Sequence, residues 1–241
     1  MDKVFIVILN MSITCSFVIA FICFARLFLK RAPKIISYFL WAAAGFRLVF
    51  PFSIESVFNL IPFHAQVIPA DIAMQSAPRI NSGIPAINSI VSDALPASAP
   101  YASTNPLQVW ITVGACAWII GAVLIVTYGI ISFIVLKHKM QSSVCAEANI
   151  YETKNIKTPF VLGLFSPKIY MPFDLSEQER NYILRHEQTH IRRCDHIIKF
   201  TAYFILAFHW FNPLVWLAFR LMSADMEMSC DEHALSQMQW T

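Results

Sequence analysis

Apolar and polar positions alternate in long blocks along this chain. Val4 to Ala25 carries no charged residue, and as a helix it is long enough to cross about 30 Å of hydrocarbon. A cleaved signal peptide is disfavoured, because the run is too long and basic residues follow it. Ile35 to Phe52 is a second span with one charge, Arg47, near its end, where a long side chain can snorkel to the interface. Val109 to Leu136 is a third, 28 residues without a charge. A fourth apolar stretch, Ile197 to Met222, is interrupted by Lys199, His209 and Asn212-Pro213.

The blocks between differ in kind. Residues 53–108 hold seven of the thirteen prolines and a single Lys or Arg, Arg79, and predict a loop. Beyond residue 136 the pattern shortens. Ile150 to Thr153 alternates as a short strand does. Phe160 to Leu164 and Lys168 to Met171 read as two more, the last stopped by Pro172. Ser176-Glu177-Gln178-Glu179 is a capping box, in which Ser176 caps the N–H of Glu179 and the Glu179 side chain reaches back. It predicts a helix from Glu177 to about Arg193. Ser223 to Leu235 resumes a helical, more acidic pattern.

Composition sharpens this picture. The chain is 57% hydrophobic but only 14% charged, against roughly a quarter charged in soluble domains, so it reads as a membrane protein. A net charge of +3 is too small to argue for nucleic acid. Arg26, Lys30, Arg31 and Lys34, with the basic residues after 136, should face the cytoplasm by the positive-inside rule. The expected organisation is transmembrane helices 1 and 2 in 1–52, an extracellular Pro/Ala/Ser-rich loop in 53–108, transmembrane helix 3 in 109–136 and a cytoplasmic domain in 137–241. Six cysteines without a C-x-x-C pair argue against a disulfide framework.

Chemistry concentrates at His186-Glu187-Gln188-Thr189-His190. Residues four apart share a helix face, so His186 and His190 can offer two imidazoles to one metal. Glu187 beside them can deprotonate a water that the metal polarises. Catalytic zinc keeps three protein ligands and an open position. Glu227 is the candidate third ligand, and Asp231, four residues on, would accept the second ring proton of a ligand histidine. Against this stands a plain solvated acidic face at Glu227, Asp231 and Glu232, or a thiolate ligand from Cys194 or Cys230. Asp195 either supports a ligand or caps the helix end. His196 and His233 are ordinary polar histidines or oxyanion partners. The strand Lys168-Ile169-Tyr170-Met171 is a candidate edge for an extended peptide, with a purely structural strand as the equal alternative.

With these residues placed, the chain resembles the BlaR/MecR-type family of membrane-embedded gluzincin metallopeptidases, signal-transducing antirepressors of Gram-positive bacteria. The resemblance is carried by Pro159-Phe160 with Gly163, Pro167 to Pro172, the H-E-x-x-H run with Arg193 and Asp195, His209-Trp210-Phe211-Asn212-Pro213, and Glu227 to Glu232. It implies zinc at His186, His190 and Glu227, with Glu187 as base. It implies a cytoplasmic protein substrate, a DNA-binding repressor of β-lactamase or resistance genes. Membrane lipid and a second copy of the chain are further expected partners, and no direct nucleic-acid contact is expected. Full receptors of that family carry an external penicillin-binding sensor with a Ser-x-x-Lys nucleophile; no serine here is followed by lysine at the third position. A quality-control or prenyl-protein protease and a non-catalytic membrane receptor are the competing readings. Transport is a weaker one, because the spans lack paired broken helices and repeats.

The expected fold is a mainly α membrane protein: three transmembrane helices, a small mixed α/β zincin domain and a membrane-associated helical hairpin. The hairpin follows from the metal. A single crossing by Ile197 to Met222 would separate His190 from Glu227 by about 30 Å of hydrocarbon. Asn212-Pro213 should therefore turn the chain back. Phe204, Phe208, Trp210, Phe211 and Trp216 would then dip into the cytoplasmic interface.

Overall fold

A computed structural model describes residues 1–51, 67–69, 71–72, 75, 78–95 and 106–238. Seven α-helices and four strands follow one another there: α1 (Asp2–Phe28), α2 (Lys34–Val49), α3 (Pro85–Ala94), α4 (Pro106–Lys139), β1 (Val144–Glu147), β2 (Ile150–Glu152), β3 (Phe160–Leu162), β4 (Lys168–Met171), α5 (Glu177–Arg192), α6 (Asp195–Phe208) and α7 (Pro213–Met238). The chain is mainly helical with one small mixed sheet. Among the described residues, two helical stretches are long and apolar enough to cross a membrane, Asp2–Arg31 and Pro106–Ser142. Only 6% of the most apolar window of the second is buried, so Ile120, Val123 and Leu124 present the bare apolar surface that hydrocarbon would cover. The second expected span, Ile35 to Phe52, is shorter than its pattern: α2 has 16 residues, a rise of about 24 Å, and the expected end at Phe52 lies outside the described residues.

The molecule divides into two compact units. The first comprises Met1–Leu27, Trp41–Leu124 and Ile205–Ala218. The described part of the expected 53–108 loop is not free chain. It contains α3, and Ile68, Ile80 and Leu95 pack with Ile6, Ile72 and Leu107. Asn10 of α1 fastens it by two hydrogen bonds, donating to the Ile68 carbonyl and accepting the Ile68 N–H, both at 2.8 Å. The rest of that loop lies outside the described residues.

The turn between α6 and α7 is heavily bonded. Asn212 uses both ends of its amide. Its Oδ1 accepts the Leu214 N–H at 2.9 Å, capping α7 ahead of Pro213. Its Nδ2 donates to Ser12 Oγ and Ser16 Oγ, each at 2.8 Å. His209 Nε2 donates to the Leu48 carbonyl at 3.1 Å. Trp118 Nε1 donates to the Phe208 carbonyl at 2.7 Å, and Trp210 Nε1 returns a bond to the Trp118 carbonyl at 3.2 Å. Gly121 is what admits the Trp210 ring, since a Cβ there would lie 2.3 Å from it.

The expected reversal at Asn212-Pro213 is therefore present. Ser12 and Ser16 sit near the middle of α1, and the hairpin tip packs among α1, α2 and α4. Broken backbone is tolerated in an apolar setting where protein groups satisfy it, and these side chains do so.

The second unit comprises Phe28–Leu40, Ile125–Phe204 and Phe219–Thr241. Its sheet has the order β1-β2-β4-β3. β2 and β4 are parallel, with Ile150 opposite Ile169 and Glu152 opposite Met171. β1 pairs antiparallel with β2, and β3 with β4. Ile150, Ile169 and Met171 form the core, covered by Leu175 and by Ile183, Leu184 and Ile191 of α5. Those α5 positions recur at helical spacing, which is why the helix lies on the sheet. The capping box at Ser176 and Glu179 is formed. The strand order corrects one expectation: Lys168, Ile169, Tyr170 and Met171 are β4, an interior strand bonded on both sides. It has no open edge for a peptide. β1 and β3 are the edges.

Asn212→Ala should lower the stability of the purified protein in detergent by about 2 kcal/mol, since it removes a helix cap and leaves buried Ser12 and half-buried Ser16 without their donor. Asn212→Asp keeps the capping oxygen but loses the donor, and should recover only part of that. Chemical unfolding followed by tryptophan fluorescence measures both.

Candidate metal centre

The site is assembled in the second unit from the last turn of α5, the turn into α6, and the second half of α7. On α5, one turn of helix puts His186 beside His190, with Nε2 atoms 3.1 Å apart. From α7, Glu227 Oε2 comes within 3.2 Å of His190 Nε2 and 3.5 Å of His186 Nε2. Four-coordinate zinc with bonds of about 2.0–2.1 Å spaces its ligand atoms about 3.3 Å apart. The three atoms present are at that spacing, from two nitrogens and one carboxylate oxygen. The residues fit a zinc ion with one coordination position left open.

The chain then fixes how each ligand faces. Arg193 closes α5, and Cys194 adopts φ +57°, a left-handed conformation that costs a side-chain-bearing residue about 1 kcal/mol. That turn brings Asp195, the first residue of α6, back under α5. Asp195 is 1% exposed, and its Oδ2 lies 2.8 Å from His190 Nδ1. The ring proton on Nδ1 points at the carboxylate, which frees the Nε2 lone pair for the ligand cluster. Asp231 Oδ1 lies 3.0 Å from His186 Nδ1, near enough to attract but without hydrogen-bond alignment. The same oxygen accepts the Tyr182 hydroxyl at 2.9 Å.

The thiolate alternatives are placed elsewhere. Cys194 is exposed in the turn. Cys230 is buried 3.4 Å from His190 Nδ1 and 3.5 Å from Asp195 Oδ2. His190, Asp195 and Cys230 form a second compact group of metal-binding side chains. The 2.8 Å bond between His190 and Asp195 occupies the nitrogen that a metal there would need, so the two histidines and Glu227 are the better set.

Electrostatics follow the same arrangement. Burial works against a charged His190, but hydrogen bonds with Asp195, Cys230 and Glu227 outweigh it and push its pKa up to about 11. Hydrogen bonds with His186 and His190 hold Glu227 far below the usual carboxylate range, against its partial burial, and Lys199 adds to them. His190 and Glu227 thus attract each other as a cation and an anion would. Glu187 moves the other way. Burial raises its carboxyl above the usual range, and the two histidines only partly offset this. A carboxylate with a raised pKa is a better proton acceptor near neutral pH.

Glu187, His190 and Glu227 open onto a cavity of about 550 Å³, walled by Phe160, Val161 and Leu162 of β3 and by Phe200 of α6. His196 lines it too and holds the Leu164 carbonyl at 3.2 Å. His233 does not; it lines a separate cavity with Arg192, Arg193 and Glu232. Lys199 reaches Glu227 Oε1 at 2.6 Å and was not among the expected site residues. Its signal was available: it is a charge in an apolar run, four residues after Asp195 and so on one helix face with it. Tyr182 was also missed, although it stands four residues before His186.

The family model described as BlaR1 peptidase M56 matches residues 6–240. Regulatory protein BlaR1 of Bacillus licheniformis is 37% identical over 79 residues, 32% of this chain and 13% of that protein. The methicillin resistance mecR1 protein of Staphylococcus aureus is 30% identical over 87 residues, 34% of this chain and 15% of that protein. The matched stretches are thus a small part of the relatives' own length.

Gly163 links β3 to β4 at φ +117°, and a Cβ there would lie 2.5 Å from the Ser166 carbonyl oxygen. Gly163→Ala should therefore destabilise this unit by roughly 1–3 kcal/mol. It should also shift the Leu164 carbonyl off His196. Proteolytic susceptibility of the 160–170 segment, compared between the two proteins, tests this.

Proposed function

The chain belongs to the BlaR1 peptidase M56 family, and from that premise we propose that it is an integral-membrane zinc metalloendopeptidase of signal transduction. The observation that carries the reading is the convergence of His186, His190 and Glu227 at ligand spacing in a cavity that also holds Glu187. A scaffold that used metal only to fold would favour a closed, four-ligand set. Here three ligands face an open cavity beside a buried carboxylate.

A zinc ion at this centre would supply Lewis-acid polarisation of a peptide carbonyl and of the attacking water. The chain's own residues do the rest. Glu187 takes a proton from the water as the new C–O bond forms, and passes it to the leaving nitrogen as the C–N bond breaks. Asp195 keeps His190 in one tautomer, and Lys199 holds the outer oxygen of Glu227, leaving one oxygen for the metal. β3, an edge strand whose residues wall the cavity, is the surface on which an extended peptide can add as a further strand. Phe160, Val161 and Leu162 take the role first expected of Lys168 to Met171.

We assign the second unit to the cytoplasm and the segment containing α3 to the outside, following the four basic residues in 26–34. The substrate is then a cytoplasmic protein, and the family points to a DNA-binding repressor of resistance genes.

Metal analysis of the purified protein should find one zinc per chain. His186→Ala and His190→Ala should each lose most of it, because two remaining ligands hold the ion poorly. Glu187→Gln should keep the zinc and lose peptide cleavage by at least about a hundredfold. Retention of both metal and cleavage in Glu227→Ala would refute the third ligand.

Orientation has its own test. Ser89→Cys, on the exposed face of α3, should react with an impermeant thiol reagent in intact cells, while Cys145 in β1 should react only after lysis. The reverse pattern would overturn the assignment of the protease to the cytoplasm.

A further inference from the structure

α2, the second apolar helix, reaches the metal centre through hydrogen bonds that the reaction scheme does not use. Tyr38 is buried at 7% exposure, and its hydroxyl donates to Asp195 Oδ1 at 3.2 Å. The other oxygen of Asp195 holds His190 Nδ1 at 2.8 Å. Arg193 completes the arrangement. Its guanidinium lies over the Tyr38 ring at 4.9 Å, and its Nε is 3.5 Å from Asp195 Oδ1.

Asp195 is almost wholly buried, and a buried carboxylate keeps a fixed orientation only while its lone pairs are satisfied. One oxygen serves the ligand histidine. The other is held by Tyr38 and Arg193, so the carboxylate cannot rotate without losing them. We infer that Tyr38 is a positioning residue of the metal centre: through Asp195 it fixes the ring orientation and tautomer of His190, and so sets how tightly the metal is held. This rests on the zinc reading above.

A second tie points the same way. The Lys34 backbone N–H, at the start of α2, donates to Glu232 Oε2 at 2.8 Å. Glu232 follows Glu227 on α7. α2 is therefore bonded both to the helix that supplies the carboxylate ligand and to the turn that orients a histidine ligand. Hydrogen bonds weaken steeply with misalignment, so a movement of α2 that parts Tyr38 from Asp195 loosens His190. The centre is thereby made sensitive to the position of a helix that supplies none of its ligands.

The test uses the full-length chain in detergent, with zinc affinity measured by competition against a chromophoric chelator. The visible absorption of the cobalt-substituted protein reports ligand geometry. Tyr38→Phe removes only the hydroxyl and keeps the ring under Arg193. It should weaken zinc binding about three- to tenfold and shift the cobalt bands. Asp195→Asn should weaken binding about 10- to 100-fold, the usual range for a direct partner of a ligand histidine. The double variant should be no weaker than Asp195→Asn alone, because Tyr38 acts through that carboxylate. Parental affinity and an unshifted cobalt spectrum in Tyr38→Phe would overturn the inference and leave the zinc reading standing. Additive losses in the double variant would overturn it too. A parent chain that binds neither zinc nor cobalt removes the zinc reading itself, and this inference with it.

Discussion

Everything in this structure depends on bringing two residues together across a long apolar detour. His190 ends α5 and Glu227 lies in the second half of α7, and between them the chain runs out along α6 and back. The two ligand atoms nevertheless meet at 3.2 Å. A metal-ligand set tolerates errors of a few tenths of an ångström, so the out-and-back path must be reproducible to that precision. The turn at Asn212 is itself closely defined. A Pro at the first helical position starts α7 in a fixed direction, and a single amide caps that helix while holding two serines of α1.

That constraint accounts for the distribution of polar residues in the apolar half of the molecule. Asn10, Ser12, Ser16, His209 and Asn212 are the kind of side chain that hydropathy penalises in a span. Each is matched to a partner: Asn10 to the backbone of Ile68, His209 to the Leu48 carbonyl, Asn212 to the two serines. Where the alternative is an unsatisfied polar group in an apolar setting, such bonds select one packing among many. Close approach adds to them, since Gly121 and Gly129 leave room for the Trp210 and Tyr203 rings against α4.

Much of this was readable along the chain, and what was not shares a physical reason. The helix bearing His186 and His190 announces itself by its capping box and its period, both local properties. Glu227 and Asp231 were readable as a same-face pair, and Asn212-Pro213 as a break. The packing of the hairpin tip was not, because hydropathy scores His209 and Asn212 as polar and cannot know that α1 and α2 supply their partners. Nor was the strand order: β2 and β4 pair in parallel across a crossover, and no local pattern encodes which of several short strands ends up inside. β1 escaped notice because all four of its residues are exposed, so no alternation of burial marks it. Lys199, Tyr182 and Tyr38 act through contacts with other helices, and their significance exists only once those helices are packed.

The centre does not lean on the marginal scaffold of four short strands. None of the three candidate ligands lies on the sheet; all are on helices, and the turn that orients His190 is held by Arg193, itself bonded to Ser229 of α7 at 3.0 Å. Precision at the metal therefore comes from helix-to-helix contacts, while the sheet contributes an edge and a cavity wall. This separates two requirements that conflict. A substrate-binding edge must stay open to accept a strand, and an open edge is unsatisfied and mobile relative to a covered one. A metal site must be rigid. With the three candidate ligands on α5 and α7, and Asp195 at the head of α6, β3 can remain open without loosening the trio beside it.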